Sequence, residues 1–310
     1  MKKIVYISGM VRSGSTLISN ILNENDQIMS IGEFWYLWHR GFKENWQCNC
    51  GSDFHNCTFW NNVFKTVNLP INDKYEFHNN KQYDVTTDHT VLKILPYLPI
   101  NKLYITYVKN YFKDYILLLN KIYNAIADNS DKNIIVDSSK HYLYGILLNY
   151  MPDFKVYYLH VIRDPRGAIY SASYKKKKQV VSKERSIIMG NRPFLKSCEN
   201  YIRLNLFSEK FFHEKNYYKL YLENFLNDPG KELKQVFDFI GINNNIDDIL
   251  TNRRIDFKKI RHDLSGNPDR FKNSIVIKED NRINLNKTLR FFTSLLTLPY
   301  TIKTDYKKFV

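Results

Sequence analysis

Short apolar runs that end at glycine or a polar turn alternate along the chain with stretches whose apolar residues recur every three to four positions. Ile4–Ser8 is such a run, stops at Gly9, and reads as a fully buried strand. Over Thr16–Asn23, Leu17, Ile18, Ile21 and Leu22 fall on one helical face. Tyr111–Asp128 repeats that spacing with Tyr115, Leu118, Leu119, Ile122 and Ile126. The pattern then predicts a strand over Asn133–Val136, a helix over His141–Tyr150, a strand over Lys155–Ile162 and a helix from Pro165. A long helix follows over Pro193–Phe212, with Pro193 tolerated in its first turn, then a strand over Tyr217–Leu222 and a helix over Pro229–Ile240. Strands alternating with helices predict an α/β fold, a parallel sheet with helices on both faces. Residues 29–75 are aromatic, polar and irregular, and are expected to form an excursion packed beside the sheet. The tail beyond Arg253 is basic and loop-rich up to an amphipathic helix near Leu285–Leu298. Its apolar face, Phe291, Phe292, Leu295 and Leu296, is expected to dock on the rest of the molecule. No repeat and no Pro- or Ser-rich linker divides the chain, so 1–310 reads as one domain.

Composition narrows the partners. At 44% hydrophobic and 25% charged, the 310 residues suffice for a sizeable core and exclude disorder as the dominant state. No apolar stretch reaches the ~18 residues of a membrane span. Met1-Lys2-Lys3 opens like a signal peptide, but Arg12 ends the apolar run too soon, so a soluble, cytoplasmic protein is expected. Lys plus Arg number 46 against 31 Asp plus Glu, a net charge of +15, which calls for an anionic partner. The cations are spread along the chain instead of clustered with aromatics, which speaks against a nucleic-acid-binding module.

Two turns carry candidate chemistry. The first strand runs into Gly9-Met10-Val11-Arg12-Ser13-Gly14-Ser15-Thr16 and then a helix, a G-x-x-x-x-G-x-[ST] string in strand–loop–helix context. Backbone amides of such a turn cradle a phosphate. An ATP-binding loop has Lys where Ser15 stands, so a triphosphate and an ATP-dependent kinase are disfavoured, and Arg12 is the candidate cation. The second turn, Arg163-Asp164-Pro165-Arg166-Gly167, follows the strand ending at Ile162, with Ser171 two helical turns further on. Arg163 and Ser171 suit a second, separate phosphate. Taken alone, this string also fits a capped helix start with a local ion pair.

Together the two turns resemble the donor-binding signature of the sulfotransferases that use 3′-phosphoadenosine 5′-phosphosulfate, which have a P-loop NTPase-like sheet. The resemblance continues through Ile31-Gly32-Glu33-Phe34-Trp35, Cys48-x-Cys50-Gly51…Cys57-x-Phe59-Trp60 and Asp137-Ser138-Ser139-Lys140. It extends to Leu222-Glu223-Asn224-Phe225…Asp228-Pro229 and to His262…Ser265-Gly266-Asn267-Pro268…Arg270, similar to a carboxyl-terminal loop that closes over the nucleotide. The resemblance implies that Arg12, Ser13, Gly14, Ser15, Thr16 and Leu17 hold the 5′-phosphosulfate and that Arg163 and Ser171 hold the 3′-phosphate. Gly266, Asn267 and Arg270 would close over the nucleotide, within a segment spanning 253–310. The product would be adenosine 3′,5′-bisphosphate, with no metal required. Sulfuryl transfer also needs a base, and Glu33 is the candidate, with His262 or His141 as fallback. A carboxyl buried among Ile31, Phe34 and Trp35 is expected to have a raised pKa. Arg12 and Lys140 are the candidate cations for the transferring group. The acceptor is a hydroxyl, on a glycan, a lipid, a phenol or a peptide tyrosine, and Glu33 favours glycan or peptide hydroxyls over small phenols, with carbohydrate the leading expectation. The resemblance implies that residues 29–110 and 175–195 line its pocket.

Two further clusters stay open. Cys48, Cys50, His55 and Cys57 place four soft ligands within one short stretch, enough for tetrahedral zinc, but a Cys-x-Cys pair is cramped. Packed free thiols are the first expectation, with zinc and a disulfide as alternatives. The Lys175–Lys178 run reads as a solvated loop, or as an attractor for the nucleotide or an acidic acceptor.

Overall fold

A computed structural model describes residues 1–68, 101–175, 177–182, 184–189, 192–213, 215–243, 246–265, 268–278 and 287–301. Gly266, Asn267, Lys176 and residues 69–100 of the expected acceptor side lie outside them. In chain order, β1 (Lys2–Ser8) leads to α1 (Ser15–Leu22) and β2 (Ile28–Gly32). Next come α2 (Thr58–Thr66), α3 (Asn101–Tyr111), α4 (Lys113–Ser130) and β3 (Ile134–Lys140). α5 (Tyr142–Leu148), β4 (Phe154–Ile162) and α6 (Pro165–Ser173) follow. A hairpin of β5 (Lys177–Val180) and β6 (Ser186–Met189) precedes α7 (Phe194–Phe212). β7 (Tyr217–Tyr221), α8 (Leu222–Asn227) and α9 (Pro229–Ile240) come before a small antiparallel pair, β8 (Arg254–Asp256) with β9 (Ser274–Val276). The last described element is α10 (Lys287–Thr301).

The main sheet has the order β2-β3-β1-β4-β7, and every pairing in it is parallel. Its alternating residues explain why helices cover both faces. In β1, Ile4 and Tyr6 join the core beneath α4, α5 and α7, while Val5 and Ile7 join the core shared with α1 and α9. A strand flanked on both sides and buried on both faces needs a continuous apolar run, which β1 has over Ile4–Ile7 and β4 over Val156–Leu159 before His160. A third, smaller cluster at Met10, Ile162, Ile169, Tyr201 and Tyr300 packs α6, α7 and α10 beside the first turn.

Two expectations are corrected. The excursion assigned to 29–75 begins inside the main sheet, because Ile28–Gly32 is its edge strand. Ser30 and Gly32 disguised it: the Ser30 hydroxyl bonds that of Ser19 at 2.7 Å, and its N–H donates to Asn23 Oδ1 at 2.8 Å. Only beyond Gly32 does the chain leave the sheet, as a 3₁₀ turn over Phe34–Tyr36 and a π-helix over Leu37–Lys43. The terminal helix docks through Thr293, Thr297, Tyr300 and Thr301, whereas Phe291, Phe292, Leu295 and Leu296 are exposed. No described helix is long and apolar enough to cross a membrane.

Candidate active site

The carboxyl ends of the parallel strands share one edge of the sheet, the edge where ligands of open α/β sheets bind. Register sets their levels: Ser8 stands opposite Lys140 and His160, Gly32 opposite Asp137, and Ile162 opposite Tyr221. The candidate turns leave the sheet at this edge.

Between β1 and α1, two glycines are forced by close approach. A Cβ on Gly9 (φ +123°) would stand 2.4 Å from the Val161 carbonyl oxygen, and one on Gly14 (φ +96°) 2.7 Å from Leu222 Cδ1. Arg12 between them is also left-handed, at φ +72°. Non-glycine residues held there collect at ligand sites. Gly14 caps α1 without a side-chain hydrogen bond, so the first-turn amides have no side-chain cap. The Ser8 and Ser13 hydroxyls are buried with no hydrogen-bond partner among the described residues. Burying an unsatisfied hydroxyl costs roughly 1–3 kcal/mol, which an anion accepting from it would remove. Ser15 is buried, and Thr16 and Leu17 are half-buried.

The second turn contains both readings of its sequence. Asp164 caps α6 by accepting from the Arg166 N–H at 2.8 Å and pairs with the Arg166 guanidinium at 2.5 Å. Arg163 takes no part in that pair and donates from Nη1 to the Arg12 carbonyl at 3.2 Å, which joins the two turns. Gly167 leaves room for it, since a Cβ there would stand 3.0 Å from Arg163 Nε. Ser171 is buried on α6. The segment after β7 locks both turns in place: Glu223 Oε1 accepts from the Asp164 N–H at 2.9 Å, and Leu222 packs over Gly14. Asp228 caps α9, accepting from the Lys231 N–H at 3.1 Å.

Glu33 and Lys140 meet. Lys140, at φ +70° on the end of β3, places Nζ 2.5 Å from Glu33 Oε1 and donates to the Ser138 carbonyl at 2.8 Å. Glu33 Oε2 accepts from the Ser265 hydroxyl at 2.8 Å and lies 3.9 Å from Arg40 Nη1. Arg40 is itself held between the Tyr36 and Trp46 rings and donates to Ser265. Burial pushes the Glu33 carboxyl up, but Lys140 and Arg40, with the hydrogen bonds from Lys140 and Ser265, outweigh it. The carboxyl is therefore held below the usual Glu range, the reverse of the rise expected from its apolar sequence neighbours. Sequence reasoning missed Arg40 and Ser265 as its partners; Ser265 sat in a quoted motif without a role, and nothing local marked Arg40.

Beside this pair, Asp137 is fully buried, and burial raises its carboxyl to about 6 despite hydrogen bonds from Ser139 and Tyr123. Ser139 in turn accepts from the Trp35 N–H at 3.0 Å. Asp137 thus braces the turn that carries Lys140. His141 stacks on Trp35 with ring centroids 4.8 Å apart, and burial lowers its imidazole to about 4.

The carboxyl-terminal segment closes on Glu33 from another side. Gly32 (φ +65°) admits it, because a Cβ there would stand 2.5 Å from Asp263 Cβ. Arg270, expected among the nucleotide ligands, is 1% exposed and turns inward. Its guanidinium donates to the Asp263 carbonyl at 2.5 Å and the Gln47 carbonyl at 3.0 Å. His55 does not join the cysteines, because its Nε2 lies 3.0 Å from the Phe42 carbonyl; His262 takes that place. Lys175 Nζ lies over the Tyr170 ring, 5.5 Å from its centroid.

A family model described as the sulfotransferase family matches residues 5–247. The chain belongs to the sulfotransferase family. As a sulfotransferase it is an enzyme, and the matched span contains both turns, Glu33 and Lys140. No curated protein matches it. Among solved structures, it overlaps with the sulfotransferase domain of the Synechococcus PCC 7002 olefin synthase at 16% identity and a TM-score of 0.49, covering 97% of this chain and 96% of that one. The sulfotransferase domain of the curacin biosynthetic pathway matches at 15% identity and 0.46, over 93% and 89% of the two chains. Sulfotransferase STF9 from Mycobacterium avium matches at 11% and 0.44, over 98% and 77%.

Proposed function

We propose that this sulfotransferase takes its sulfuryl group from 3′-phosphoadenosine 5′-phosphosulfate and passes it to a hydroxyl of a carbohydrate. The turn over Arg12–Leu17 and the amino terminus of α1 receive the 5′-phosphosulfate, with the Ser13 hydroxyl donating to it. Arg163 and Ser171 receive the 3′-phosphate. Ser15 in the usual lysine position leaves the terminal group to Arg12 and Lys140.

In the reaction the acceptor oxygen attacks sulfur as its proton passes to a Glu33 oxygen. The new S–O bond forms while the bond from sulfur to the phosphate oxygen breaks, and adenosine 3′,5′-bisphosphate leaves. Lys140 has two duties in sequence. It keeps Glu33 ionised before the donor arrives; the incoming sulfonate then competes for its ammonium, and Glu33 regains basicity. No metal is needed in this step, since positioning and fixed cations carry the charge. The acceptor approaches from the side of Glu33.

The observation that carries this reading is the Lys140–Glu33 pair, 2.5 Å apart, at the same sheet edge as the buried Ser13 hydroxyl, which has no hydrogen-bond partner among the described residues. The test is transfer of ³⁵S from the labelled donor to a panel of glycan, lipid and phenolic hydroxyls without added metal. Labelled glycan, lost in Glu33→Gln, is expected; label on phenols alone would overturn the acceptor class.

A further inference from the structure

We propose that Cys48, Cys50, Cys57 and His262 form a structural zinc site that pins the carboxyl-terminal segment against the edge of the active site. Tetrahedral zinc with Zn–S near 2.3 Å and Zn–N near 2.0–2.1 Å requires S···S separations of about 3.8 Å and S···N separations of about 3.6 Å. Four of the six pairs among these side chains lie within about 0.3 Å of those separations. Cys48 and Cys57 Sγ are 3.8 Å apart, and Cys50 and Cys57 Sγ 3.6 Å. His262 Nδ1 is 3.6 Å from Cys48 Sγ and 3.3 Å from Cys57 Sγ, and all four ligand atoms lie within 4.8 Å of one another. All three cysteines are free thiols.

The cramped Cys-x-Cys spacing is resolved by the backbone. The Gly51 N–H donates to the Cys48 carbonyl at 2.9 Å and the Cys48 N–H to the Ser52 carbonyl at 2.8 Å, with Gly51 at φ +94°. This tight turn brings the Cys48 and Cys50 sulfurs together. Cys57 sits at the start of α2, which also supplies the groups that orient the histidine. The Phe59 ring stacks on His262 with centroids 4.3 Å apart and planes 12° from parallel. Trp60 Nε1–H donates to the His262 carbonyl at 2.9 Å. The stacked ring sets the plane of the imidazole, and the Trp60 bond holds the backbone that carries it. Cys48 and Cys57 are buried while Cys50 is exposed, which leaves a path for the metal.

His262 lies 205 residues beyond Cys57, so a metal here closes a long loop. The residue after His262, Asp263, receives the Asn49 N–H on its carbonyl at 3.0 Å and packs on Gly32; Ser265 donates to Glu33. Zinc therefore holds in place the segment that contacts Glu33. Its role is structural, distinct from sulfuryl transfer.

The full chain, purified under reducing conditions without added metal, is expected to carry about one zinc by elemental mass spectrometry. Cobalt(II) in its place should give a sulfur-to-metal charge-transfer band and strong tetrahedral visible bands. Cys57→Ser and His262→Ala should lose stoichiometric zinc, while His55→Ala keeps it. Trp60→Phe, which frees the His262 backbone carbonyl, should bind zinc more weakly than the wild type. Chelation should lower Tm, and zinc but not magnesium should restore it. Wild-type protein free of metal, a disulfide between these cysteines, or zinc retained in His262→Ala and lost in His55→Ala would each overturn the proposal. If a variant fails to fold, the zinc content and cobalt spectrum of the wild type decide alone.

Discussion

The turn between β1 and α1 takes its parts from eight consecutive residues, Gly9–Thr16, whereas the surroundings of Glu33 come from four separate segments. Lys140 ends β3, Arg40 lies on the π-helix, Ser265 arrives from the carboxyl-terminal segment, and Gly32 of β2 admits that segment. A phosphate cradle needs mainly backbone amides and glycines, which a short string can encode. A charge-tuned carboxylate needs opposing groups on several sides, and only the tertiary fold brings them together. Binding is thus expected to tolerate changes around Glu33, and chemistry is not.

The largest effect expected follows from that contrast. Glu33→Gln should reduce turnover by about 10²–10⁴, the usual share of a general base, and leave nucleotide affinity unchanged. Steady-state kinetics beside a direct binding measurement separate the two. Equal loss of binding would erase the division between the regions. Gly9→Ala tests the other side: with φ +123° and a Cβ 2.4 Å from the Val161 carbonyl oxygen, the loop cannot keep its shape. A stability loss of at least about 1–3 kcal/mol in urea unfolding is expected, with nucleotide binding weakened.

The smallest effect is in pH dependence, where two buried carboxyls act in opposite directions. Glu33 is held below its ordinary value of 4.5, so its contribution to stability is present above pH 4.5 and lost as pH falls through the lowered folded-state pKa. Asp137 is raised from 3.8 to about 6, so its contribution is present below pH 3.8 and lost as pH rises through 6. Lys140→Met should shrink the acid loss, because burial of Glu33 then meets less opposition. Thermal unfolding across pH 3–7 reads both slopes; an unchanged acid limb in Lys140→Met would separate Lys140 from Glu33.

Legibility followed the same division. β1, its loop, the β4–α6 turn and α9 were readable because each is a local period ending in a glycine, an Asp-Pro or a cap. The edge strand β2 was not, since Ser30 and Gly32 break its apolar run for the sake of contacts with Ser19, Asn23 and Asp263. The direction of the Glu33 shift was misread because apolar sequence neighbours announce burial while its cations stand 7 and 107 residues away. The cysteine cluster was readable for its three thiols but not for its imidazole, where nearby His55 stood in for distant His262. The terminal helix was recognised, yet its docked face is the threonine side, because Tyr300 and small Thr side chains fit against α6 and α7.

The central claim is that two separate phosphate sites at one sheet edge, joined by the Arg163–Arg12 contact, bind a nucleotide with phosphates at both 3′ and 5′ positions. Calorimetric titration of the wild type and Arg163→Ala with adenosine 3′,5′-bisphosphate and with adenosine 5′-phosphate, both without metal, tests it most directly. The bisphosphate should bind the wild type more tightly by about 1.5–3 kcal/mol, roughly ten- to a hundred-fold, and Arg163→Ala should remove that difference. Equal affinity of the wild type for the two nucleotides, or binding of ATP with magnesium in preference to the bisphosphate, would contradict the account.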